Sequence, residues 1–110
     1  MIEEIIQNYL RENAFPCYLS VPEKPSGNFC VLEKTGSGYE DGIFTATLAV
    51  QSYGSSDYAA AQLSHRVVQT MLDADTLPEI VSCTLNTDYN FPDTTRKLPR
   101  YQAVFEVGHY

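Results

Sequence analysis

The sequence predicts an α+β domain: a mainly antiparallel sheet of about four main strands with two helices packed on one face, in the order α-β-β-β-α-β-β. Three observations carry this. Residues 2–13 and a run from Asp57 to Asp73 show the i, i+3, i+4 spacing of apolar residues that marks one face of a helix. Residues 42–53, 79–91 and 99–109 alternate apolar and polar side chains with the period of a strand. The chain has 110 residues, 44% of them hydrophobic and 19% charged. That suffices for one core and leaves no room for a second, so residues 1–110 are read as a single domain.

In the first helix Ile2, Ile5, Ile6, Tyr9 and Leu10 share a face, and Glu3 and Glu4 sit where the helix dipole favours negative charge. Asn13 is the expected stop and Pro16 bars continuation. Cys17 to Val21 reads as a short extended run closed by Pro22 and Pro25, followed by a Ser26–Asn28 turn. Phe29 to Leu32 are apolar at consecutive positions, as in a strand covered on both faces, and the strand is expected over 28–35. Thr35 to Gly42, with its three glycines, reads as a hairpin loop. Phe44, Ala46, Leu48 and Val50 then share a face, up to a break at Gly54. Ser55, Ser56 or Asp57 caps the second helix, which Pro78 keeps from running past Leu77. In the last two strands Cys83, Leu85, Tyr89 and Phe91 should share one face, as should Tyr101, Ala103, Phe105 and Val107. Phe44, Leu48 and Val50 are therefore expected in the core with Leu85, Tyr89, Tyr101 and Phe105.

Fourteen acidic against seven basic residues give a formal charge of −7, which argues against a broad grip on nucleic-acid phosphate. The N-terminus carries acids where a signal peptide needs bases, and no apolar stretch approaches the ~20 residues of a membrane span. Cys17, Cys30 and Cys83 show no CxxC or zinc spacing and read as three reduced thiols, with Cys83 buried by its parity with Leu85. His65, beside Arg66, reads as a surface residue, and His109 lies too near the chain end to be held as a catalytic base. Glu40-Asp41 and Asp73-x-Asp75 lack the further ligands of a calcium loop. Gly36-x-Gly38 precedes a strand, whereas a dinucleotide fingerprint opens a helix. Arg96, Lys97 and Arg100 form a basic cluster in a loop between Pro92 and Pro99, open to two readings: a solvated hairpin tip, or a contact surface for an acidic partner or passing DNA.

Several strings carry a resemblance along nearly the whole chain. They are the opening helix with Ile5, Tyr9 and Leu10; Val31-Leu32-Glu33-Lys34-Thr35-Gly36; Ala46-Thr47-Leu48-Ala49-Val50-Gln51-Ser52-Tyr53 and the helix from Tyr58; and, most specific, Leu85 to Phe91 with Arg100 to Phe105 and the ending His109-Tyr110. The chain resembles the small tail-terminator, or head–tail joining, proteins of long-tailed phages and Gram-positive prophages, a group of minor capsid or tail-completion proteins. The resemblance implies a structural protein with no enzymatic activity and no cofactor or metal. It would form a ring, usually of six subunits, on the head-proximal end of the tail tube. There it stops tube polymerisation and meets the head connector, while genome DNA passes through without sequence-specific binding. Its partners would be itself, the tube protein and the connector, with no membrane; its place would be the host cytoplasm during assembly and then the virion. An alternative of another class is a small cytoplasmic ligand-binding or regulatory domain with a pocket between helices and sheet.

Two hairpin tips are the expected contact regions: Gly36–Gly42 with Tyr39, Glu40 and Asp41, and Asp93–Arg100 with Arg96, Lys97 and Arg100. Their opposite charge would let the acidic tip of one subunit meet the basic tip of the next.

Overall fold

Ser56 opens the second helix as a cap, its Oγ accepting a hydrogen bond from the Ala59 amide at 3.1 Å. The computed structural model describes residues 1–25 and 27–110, so the expected Ser26–Asn28 turn lies partly outside the described residues. The elements are α1 (Ile2–Glu12), β1 (Cys17–Tyr18), β2 (Phe29–Glu40), β3 (Ile43–Tyr53), α2 (Asp57–Met71), β4 (Ile80–Asn90) and β5 (Arg100–His109), with a 3₁₀ turn at Ala74–Thr76. The five strands form one sheet in the order β1-β2-β3-β5-β4. β1 runs parallel to β2, and every other pairing is antiparallel. The α+β class and the two helices on one sheet match the sequence reading.

Both helices pack on the face that carries Leu32, Leu48, Val50, Ala103, Phe105 and Val107. Ile6 and Leu10 of α1 and Leu63, Val67 and Met71 of α2 complete this core. Each large side chain buried here contributes about 1.5–3 kcal/mol. The Tyr9 hydroxyl donates to the Thr70 carbonyl at 2.7 Å and ties the helices together. On the opposite face a smaller cluster, Phe29, Val31 and Tyr53 with Val21 and Leu98, covers one end of the sheet. The consecutive apolar run Phe29–Leu32 is thus buried on both sides, as its pattern predicts.

Four expectations are corrected. Thr35–Gly42 is not a loop: β2 continues to Glu40 through a bulge at Thr35, and the turn is Asp41–Gly42 alone, with φ of 53° and 83°. Two positive φ values in succession form the mirror-image turn whose twist suits a hairpin. Phe44 is 46% exposed, because it lies beyond the reach of α1 at the far end of the sheet. Leu85 is also exposed and Cys83 half-buried, because β4 is an edge strand that α2 barely overlaps, while Tyr89 is exposed and Tyr101, on β5, is half-buried. Finally, β4 does not keep one parity. Bulges at Val81 and Asn86 shift the register, so Leu85 lies opposite Phe105 on the helix face while Tyr89 lies opposite Gln102 on the other. Leu48, Val50 and Phe105 are fully buried as expected.

Gly54 marks where β3 hands over to α2. A Cβ placed there would stand 2.5 Å from the Ala60 amide nitrogen and 2.9 Å from the Ala59 carbonyl carbon. Gly54→Ala is therefore expected to lower the unfolding free energy by about 1–3 kcal/mol. A urea titration reads this directly, and an unchanged midpoint would show that the strand and helix do not approach so closely.

Candidate functional site

At one end of the sheet the strands overhang α1 and expose an aromatic row. Tyr39, Phe44 and His109 lie level on β2, β3 and β5. The Tyr39 and Phe44 rings are 4.6 Å apart, and Phe44 and His109 stack at 5.6 Å. Beside them Met1, Ile2 and Tyr110 line a groove of about 340 Å³, with Glu3 and Lys34 on its wall, 3.9 Å apart. Glu40 and Asp41 cap this end with negative charge, and Tyr39, at 63%, is among the most exposed aromatics.

The other tip is built on a buried acid. Asp93 is 4% exposed, and the 92–99 loop closes over it as a small hairpin, with the Asp93 and Leu98 amides each donating to the other's carbonyl at 3.0 and 3.1 Å. The Asp93 carboxylate accepts from the Arg96 amide and the Arg96 guanidinium, each at 3.1 Å, and from the Tyr53 hydroxyl at 3.0 Å. Arg100 donates to the Tyr53 hydroxyl at 3.1 Å and to the Phe91 carbonyl at 2.6 Å, and its guanidinium lies over the Phe91 ring. Burial would raise the Asp93 carboxyl, but the Arg96 amide and side chain, the Tyr53 hydroxyl and the Arg100 charge outweigh it and hold the group below the ordinary carboxylate range.

The six expected contact residues thus fall into two groups that do not meet. Tyr39, Glu40 and Asp41 stand at one end of the sheet, and Arg96, Lys97 and Arg100 at the other. From the Phe44–His109 pair to the Tyr53–Arg100 pair the strands span about 30 Å at ~3.4 Å per residue. Tyr39 and Glu40 are strand residues, and only Asp41 is in the turn. Arg100 is largely consumed within the fold and Arg96 is tied to Asp93, whereas Lys97, with φ of 55°, stands exposed at the apex. The sequence reading missed Asp93 and Tyr53. The available signal was Asp-x-x-Arg between two prolines, since an aspartate side chain often bonds an amide just ahead of it in a turn.

The sheet face away from the helices is bare outside the Phe29–Tyr53 end. Thr47 donates to the Glu106 carboxylate at 3.0 Å, Gln51 donates to Gln102 at 2.9 Å, and Gln102 donates to the Tyr89 hydroxyl. Glu33 and Glu106 stand on this face, and no lysine or arginine does among the described residues once the covered Arg100 is set aside. The sheet is also unequally finished at its edges. The Cys17 carbonyl of β1 accepts from Gln7 at 3.1 Å and Arg11 at 2.9 Å, so α1 caps that strand. Among the described residues nothing pairs with the outer edge of β4, or with β2 beyond Val31.

Burial pushes the Cys17 thiol up to about 11 and the Cys30 and Cys83 thiols up to about 12, which leaves little thiolate near neutrality. His65 is exposed on α2. Among the described residues no three His, Cys, Asp or Glu side chains converge as metal ligands. Among the described residues no helix is long and apolar enough to cross a membrane. Compared with protein-family models and with curated proteins, the chain matches none.

Two outcomes test the Asp93 staple. Asp93→Ala should cost about 1.5–3 kcal/mol, the usual worth of hydrogen bonds to a charged group, in a chemical denaturation experiment. Because the folded carboxyl lies below its unfolded value of ~3.9, its contribution is complete above that pH and is lost as pH falls through the lowered folded value. Amide signals of residues 93–98 should shift or broaden only below about pH 4. An acid transition centred near pH 6 would contradict the assignment.

Proposed function

We propose that this chain is the ring-forming structural subunit that its sequence resembles: a tail-terminator protein. On this reading it closes the head-proximal end of a phage tail tube, stops further polymerisation and joins the tail to the head connector. The observation that carries the proposal is the bare sheet face, polar and acidic without cations, on a subunit whose sheet ends in unpaired edges on both sides. A face of threonines, glutamines and Glu33 and Glu106 around the apolar Ala49–Val104 pair suits the lining of a channel through which DNA must slide, because among the described residues phosphates find no free cation there to hold them. Unpaired edges on opposite sides suit a heterologous interface that closes by rotation.

The tips add polarity. In a ring of side-by-side subunits the acidic, aromatic end and the basic end face opposite rims. Each then serves a different neighbour, the tube on one side and the connector on the other, and the two tips do not meet. Such exposed charges contribute ~0.2–1 kcal/mol per pair and steer orientation, while apolar contacts supply affinity.

Sedimentation of the purified protein should show a discrete, concentration-dependent oligomer; a monomer at every concentration would overturn the ring. Lys97→Glu reverses the apex charge without touching Asp93. It should leave the oligomer intact while reducing the yield of tails joined to heads in an assembly assay, and unchanged joining would return that tip to a solvated role. Replacing Glu106 with Arg should give the oligomer a salt-sensitive affinity for duplex DNA that the unmodified protein lacks. If the variant binds no better, this face does not line the channel.

A further inference from the structure

We infer that β4 of one copy pairs antiparallel with Leu32–Glu40 of β2 in the next, so that the sheet runs on from subunit to subunit; this rests on the ring reading above. β2 and β5 run one way and β3 and β4 the other. Copies held in the same orientation around a ring therefore bring β4 against β2 in the antiparallel sense, with no strand reversed.

The edges match in length. Reading across the sheet, Tyr39, Phe44, His109 and Ile80 form one row, and Leu32, Val50, Ala103 and Asp88 another. β1 occupies β2 only at Cys30 and Val31, the rows of Asn90 and Tyr89. The free stretch of β2 is thus level with Ile80–Asp88, the rest of β4. Cyclic symmetry about an axis along the strands includes no step along that axis, so these rows stay level between copies. The notch above β1 is as long as the strand that would fill it.

The side chains fit as well. Bulges at Val81 and Asn86 leave Ser82–Leu85 as the regular stretch of β4, opposite Gly38–Lys34 of the neighbour. On the helix face Leu85 comes level with Lys34, and Asp88, two rows on and next on that face, stands diagonal to that ammonium, within reach of a long side chain. On the open face Thr84 and Ser82 meet Gly36 and Gly38, which offer no side chain to clash. Edge strands that stay single usually carry lysine or proline to deter partners. β4, IVSCTLNTDYN, has neither, and it leaves Val81, Leu85 and Tyr89 exposed.

Cross-linking decides it. Gly36 and Thr84 share a row within one subunit, three strand spacings or ~14 Å apart, too far for a disulfide, which needs Cα atoms within ~7 Å. Across the inferred junction they are direct neighbours. A Cβ at Gly36 meets only ordinary contacts, the nearest Thr47 Oγ1 at 3.6 Å. The double variant Gly36→Cys, Thr84→Cys, oxidised with copper phenanthroline, should run as a ladder of covalent multimers on a non-reducing gel, and neither single variant should. An oligomer by sedimentation that gives no ladder would overturn the strand pairing and leave the ring standing; a monomer would overturn both. Leu85→Lys, which sets an ammonium against Lys34, provides a second measurement that does not depend on introduced thiols. It should abolish the oligomer while leaving the circular dichroism unchanged, and adding Lys34→Glu should restore it. An oligomer undisturbed by Leu85→Lys would likewise refute the pairing.

Discussion

Much of this molecule follows from a mismatch of lengths. The strands β2 to β5 reach about 35–40 Å at ~3.4 Å per residue, while α1 and α2 reach only about 16 and 22 Å at ~1.5 Å per residue. Two short helices can cover the middle of one face and no more. The core accordingly sits under them, around Leu48, Val50 and Phe105, and the ends and the β4 side of the sheet are left over. The aromatic row at Tyr39, Phe44 and His109 is overhang, whereas the exposed Leu85 of β4 lies level with Leu48 and Phe105 but at the sheet's edge.

The two ends solve this differently. At the Tyr53 end the chain folds back, with Val21 and Leu98 laid over Phe29, Val31 and Tyr53 and a charged network locked beneath the loop. Three groups share the Asp93 carboxylate, so its burial is compensated and the loop is held in one conformation. At the Phe44 end nothing of the kind covers the rings among the described residues. One end is finished within the chain, and the other is offered outward.

The sequence made the element order legible because periodicity survives wherever a face is buried against something. β3 and β5, central in the sheet, kept strict alternation, and their expected core residues Leu48, Val50 and Phe105 are the ones that proved buried. β4 misled because alternation alone does not reveal a bulge: an extra residue at Asn86 turns Asp88 toward Ser64 of α2 and Tyr89 away, with no change in local pattern. The glycines of Thr35–Gly42 misled for a related reason. They read as turn residues, yet in the fold most of them extend a strand whose outer edge has no partner among the described residues. Arg100 was legible as a cation near a tip, but its partners Tyr53 and Asp93 come from separate parts of the chain, and no local spacing announces a contact made through the fold.

The sheet order bears on how the chain acquires its structure. β2–β3 and β4–β5 are each local hairpins, but they are joined along the single seam between β3 and β5, whose paired residues run from Tyr53–Arg100 to Phe44–His109, far apart in sequence. Pairings so distant must pay their loop-closure entropy before they gain anything, which places the seam late in folding. During synthesis the first hairpin and both helices leave the ribosome well before β5, so β3 waits with its inner edge open and the Leu48 face incompletely covered. β5, Arg100–His109, acts as the closing piece of the core. A chain interrupted before Arg100 would keep both helices and yet lack the strand against which α2 packs.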